Sequence, residues 1–137
     1  MSHNRAPKPG SKWYLPYDTY KLVVSYCYAY HDYRRKLQDL DGWHAHEQDG
    51  MPRGNSTSDP TSKEAMRRMR LEEKIEAIEE AVIDTDPFLY DWLLEGVTRR
   101  GATYTYLKMQ KGMPVVDKNQ YSELRRQVYY RVAERIM

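Results

Sequence analysis

The chain holds a single cysteine and a single phenylalanine, and its apolar residues never run long enough to suggest a membrane span. One cysteine excludes an internal disulfide framework and fits a reducing compartment. A spanning helix needs about 20 consecutive apolar residues, and here the mean hydropathy is only −0.92. The opening residues, Met1 to Ser11, carry no apolar stretch like that of a secretory signal. A cytoplasmic protein is therefore expected, with residues 1–16 as a flexible arm. Tyrosine takes the place that phenylalanine leaves, with 13 in 137 residues. Each ring packs as an apolar body while its hydroxyl still needs a partner, so the expected core is modest and has many half-buried rings.

Net charge is only +2, but it is unevenly spread. Residues 1–71 carry net +4, residues 72–95 net −8 and residues 96–137 net +6. A basic block behind an acidic one says more about partners than the total, because steering toward a polyanion depends on the local field.

Apolar spacing and punctuation predict an all-α chain. A first helix is expected from about Asp18 to Leu40, capped by Asp18 after Pro16. Val23, Cys27, Tyr30, Leu37 and Leu40 recur at helical spacing, and Lys21 to Leu40 holds neither glycine nor proline. Residues 41–60, with Asp49-Gly50 and Gly54-Asn55, read as a long polar loop. A second helix should start near Asp59-Pro60 and run to about Ile83, on a stripe of Leu71, Ile75, Ile78 and Val82. The first two helices then form a long-helix pair over residues 17–84, which could dimerise.

Residues 85–137 read as a helix-turn-helix region. Asp86-Pro87 opens a third helix that ends at Gly101, and a short fourth spans roughly Thr103 to Lys111. Gly112 can adopt a positive φ and Pro114 blocks continuation. Asp117 and Gln120 then cap a long last helix with a stripe of Tyr121, Leu124, Val128, Val132 and Ile136. Two short helices bracing a third beyond a glycine turn is what a helix-turn-helix needs. The first turns of the last helix carry Lys118, Asn119, Gln120, Ser122, Arg125 and Arg126. Asn, Gln and Arg are the side chains able to read base edges bidentately. Arg99, Arg100, Lys108 and Lys111 would grip phosphates of double-stranded DNA.

Asp49-Gly-Met-Pro-Arg-Gly54, followed by Ser58-Asp-Pro60 and a charged helix, resembles a motif of small prophage proteins. Tyr14-Leu-Pro-Tyr17 with Tyr20-Lys21, and Lys111-Gly-Met-Pro-Val115 through Tyr121, Arg125, Arg126, Tyr129 and Tyr130, are similar to the ends of the same proteins. These belong with or near the RinA- and ArpU-like phage transcriptional activators, whose C-terminal halves look like the promoter-binding region of sigma factors. The resemblance implies a regulator of phage or mobile-element genes that binds DNA through its C-terminal helices. Residues 85–111 match that pattern only loosely.

Other constellations carry less. His44-Ala-His46-Glu47 has the wrong spacing for a helical metal pair and no cysteine nearby. Cys27 and His31 lie one turn apart with no third orienting residue. Gly50 and Gly54 lack the Gly-Lys-Ser/Thr of a phosphate-cradling loop. No enzyme, metal or cofactor is expected. Glu72, Glu73, Glu76, Glu79 and Glu80 form either a wet helix face or an interface for a basic protein. The rival function is accordingly a protein–protein module, binding RNA polymerase or another host protein, or inhibiting a host nuclease.

Overall fold

Nothing in the local sequence interrupts the first predicted helix, yet it breaks at Ala29. The computed structural model describes the backbone of residues 9–47 and 58–137, and the side chains of residues 9–41 and 62–137. Six helices lie within them: α1 (Tyr17–Tyr28), α2 (Tyr30–Glu47), α3 (Ser58–Thr85), α4 (Tyr90–Thr98), α5 (Tyr104–Gln110) and α6 (Lys118–Ile136). The all-α class holds, with no strand among the described residues. None of these helices is long and apolar enough to cross a membrane.

The chain divides into two compact units, one formed by residues up to Ala29 with Ala77–Met137, the other by Tyr30–Glu76. This corrects the expected boundary at residue 85. The reason is the inward face of α1, where Tyr20, Val23 and Cys27 are buried. In the first unit α1 packs against α4 and α6, α4 also packs on α6, and α5 packs on α4. Ile78, Ala81 and Val82 of α3, Leu93 and Val97 of α4, Leu107 of α5 and Val128 and Val132 of α6 complete the core. The rings of Tyr20 and Tyr129 meet edge to face at 5.6 Å.

Residues 9–16 are not the free arm expected of them. Leu15 is buried, and the Trp13 ring meets Tyr130 of α6 edge-on at 5.5 Å. Partial burial of so large a ring favours docking of this segment over a free arm. Residues 1–8 lie outside the described residues.

The second unit is a helix pair. Lys74 Nζ stands 5.1 Å from the Tyr33 ring centroid, and Arg68 is ion-paired with Asp41. Position rises along α2 as it falls along α3, so the two run antiparallel. Within this unit the antiparallel neighbour of α2 is the first half of α3, whereas the sequence reading joins one helix over 18–40 to another over 60–83. Residues 41–47, expected in the loop, continue α2. The Asp49–Gly54 motif lies outside the described residues.

Where α6 meets α4, the fit is unusually close. A Cβ added at Gly96 would stand 1.8 Å from the Tyr121 hydroxyl oxygen. Tyr121 is 1% exposed and cannot swing away. Mid-helix Gly→Ala ordinarily stabilises by about 1 kcal/mol. Here Gly96→Ala is expected to destabilise by about 1–3 kcal/mol through overpacking. Denaturant unfolding checks the sign, and adding Tyr121→Phe should restore most of the loss.

Candidate nucleic-acid interface

The C-terminal helices owe their placement to punctuation that local chemistry dictates. Asp86 accepts from the backbone N–H groups of Phe88 and Leu89 at 3.0 and 3.2 Å, setting the turn into α4. Gly101, at φ +81°, and Gly112, at φ +66°, turn the chain after α4 and α5. The Thr103 side chain caps α5 by accepting from the Tyr106 N–H at 3.1 Å. Asp117 and Gln120 form a reciprocal capping box on α6.

The turn between α5 and α6 covers residues 111–117. It is longer than the three or four residues of a compact helix-turn-helix. Two aromatic side chains pin it. The Trp92 indole N–H donates to the Lys111 carbonyl at 2.8 Å, and the Tyr104 hydroxyl donates to the Val116 carbonyl at 2.5 Å. These clamps are not apparent from pattern alone. The only signal for them is that a half-buried Trp or Tyr must find a partner for its polar end.

The predicted phosphate-gripping residues are at the surface. Arg99, Arg100, Lys108, Lys111 and Lys118 are all exposed. The Arg99 Nε–H bonds Glu95 at 2.7 Å. The Arg100 guanidinium lies over the Tyr28 ring of α1 at 4.2 Å. The Lys108 and Lys111 ammonium groups stand 5.8 and 5.9 Å from the Tyr104 and Tyr106 ring centroids. Aromatic faces under these cations hold them while leaving charge available outward.

The base-reading set fares differently. Asn119 and Gln120 are exposed, but the Gln120 amide oxygen accepts from the Asp117 N–H at 3.2 Å, within the cap. Ser122 is half-buried. Arg126 is half-buried too and faces Glu123 at 3.7 Å. The groove beside the start of α6 is lined by Asp86, Glu123, Asn119 and Gln120 with Leu89, Leu124 and Val116, so its charges are carboxylates.

Arg125 corrects the sequence reading outright. It is 7% exposed. The inward stripe of α6 is Tyr121, Arg125, Val128, Tyr129, Val132 and Ala133, rotated from the expected one toward Arg125. Two large rings one turn either side of it bring it inside. Its guanidinium lies 5.6 Å from the Tyr121 ring centroid. A residue so enclosed cannot reach a base edge without unfolding α6.

Burial pushes the Tyr20 and Tyr121 phenols up to about 12 from the ordinary 10, against the opposing pull of Arg125. Burial raises Tyr129 and the Cys27 thiol in the same direction. Cys27, fully buried, packs as a core residue. No group of three or more metal-ligating side chains occurs among the described residues, and those of His44, His46 and Glu47 lie outside them.

These raised values set an alkaline limit. Above pH 10 the unfolded tyrosines ionise while Tyr20 and Tyr121 stay protonated in the fold. The unfolded state then binds fewer protons, so stability falls as pH rises. The fall should continue until about pH 12, where both also ionise in the fold. Denaturant midpoints measured from pH 9 to 12 should decline through this window, and a flat profile would contradict the burial of these rings.

No family model, curated protein or solved structure matches this chain.

Proposed function

We propose that this chain is a double-stranded-DNA-binding regulator, of the kind implied by its resemblance to RinA- and ArpU-like phage activators. One observation carries the reading. Arg99, Arg100, Lys108, Lys111 and Lys118 are exposed between residues 99 and 118, from the end of α4 through α5 to the start of α6, and Asp117 is the sole acid in that stretch. Cations clustered on and just after short bracing helices are suited to phosphate docking. Lys118 and Asn119 remain as candidates for base contacts at the start of α6. Arg125 acts from within as a packing residue. Arg126 supports the surface beside Glu123. Such a regulator works in the cytoplasm and needs no cofactor.

The exposure of Glu72, Glu73, Glu76 and Glu80 supports a second contact, with RNA polymerase or another basic host protein. Glu79 is half-buried, and Glu80 stands 3.8 Å from Arg135, so this acidic face is partly answered within the chain. The two readings can coexist in one regulator.

Duplex binding followed by fluorescence anisotropy at two salt concentrations tests the proposal. Lys108→Ala and Lys111→Ala should each weaken binding on all sequences and lower the salt slope by about 1. Arg125→Ala should instead lower stability by more than about 1 kcal/mol through lost packing. Unchanged affinity and slope in both lysine variants would defeat the proposal. Charge reversal along Glu72–Glu80 should leave duplex affinity intact or slightly raised.

A further inference from the structure

Two surfaces lie outside this reading, and they match one another. The first is a groove on the α2–α3 pair, about 710 Å³ in volume, with Leu40 and Leu71 among its lining residues. Lys36, Arg67, Arg70 and Lys74 line it against two acids, Asp39 and Glu64. Lys36 is drawn toward Asp32 at 3.3 Å, and Lys74 lies over Tyr33. Arg67 and Arg70 are exposed, and among the described residues neither has a carboxylate within 4.0 Å. A groove that only held phosphate would gain nothing from leucine in its lining. One suited to an apolar knob with an acidic collar would use both the leucines and the arginines.

The second surface is such a knob. Phe88, the chain's single phenylalanine, is 74% exposed at the turn between α3 and α4. Asp86 holds the Phe88 N–H at 3.0 Å, so the ring projects from a defined turn. From residue 84 to residue 95 the chain carries four acids and no cation; Asp84 and Glu95 are ion-paired with Arg135 and Arg99, which leaves Asp86 and Asp91 to form the collar.

We propose that the α2–α3 groove receives the Phe88 corner of a second copy of this chain. The ring lies against Leu40 and Leu71, and the collar, chiefly Asp86 and Asp91, faces Arg67 and Arg70. Burial of the ring supplies affinity, while the opposed charges steer encounter and fix orientation. This self-association is independent of the DNA reading, because it uses none of the cations from Arg99 to Lys118.

Sedimentation velocity on the full chain, over a wide concentration range and without DNA, tests it. The wild-type chain should show concentration-dependent association that weakens with salt. Phe88→Ser alone, and Arg67→Glu with Arg70→Glu, should each weaken association about tenfold or more, as loss of an aromatic anchor or its charged rim does. All three substitutions are at exposed positions, and unchanged circular dichroism will show that the fold is kept. A monomer at every concentration, or an association that neither variant changes, overturns the proposal.

Discussion

The contact of Tyr121 with Gly96 sets how deeply α6 lies against α4, and the rest of the C-terminal unit follows from that depth. A phenol ring can rest directly on a helix backbone only where no Cβ intervenes. Once Tyr121 is inside, helical geometry carries Arg125 and Val128, one and two turns on, to the same face, with Tyr129 beside them. The inward turn of Arg125 is thus a consequence of the tyrosine seat. A buried guanidinium is tolerated because it has aromatic neighbours, and each ring in turn feels its positive charge.

The same seat decides which charges meet solvent. With Arg125 enclosed and Arg126 beside Glu123, the long helix offers little positive surface in its second turn. The positive field moves to the end of α4, to α5 and to the turn that Trp92 and Tyr104 pin. On the DNA-binding reading proposed above, such a surface would contact phosphates more than base edges, and phosphate contacts position a protein without specifying sequence.

Local chemistry made much of the architecture legible. Asp117 with Gln120, Gly101, Gly112 and Asp86 each act on the few residues around them, and each does in the structure what its residue type implies. The cations from Arg99 to Lys118 were legible as surface residues because exposure is the ordinary state of a long charged side chain. The rotation of α6, the docking of Trp13 and the membership of α1 in the C-terminal unit were not legible. Each depends on a partner at the far end of the chain, such as Tyr130 for Trp13 or Tyr129 for Tyr20.

Residue types and their spacing were enough to establish that the chain is helical, where α5 and α6 begin, and which stretches carry charge of each sign; α4 begins at Tyr90, a turn later than Asp86-Pro87 implied. Those properties arise from neighbours within a turn or two. Which side of each helix faces inward, and where the first long helix is interrupted, came from contacts between distant segments. Tyrosine is apolar enough to be buried and polar enough to be exposed, so in a chain this rich in it the choice of face falls to packing.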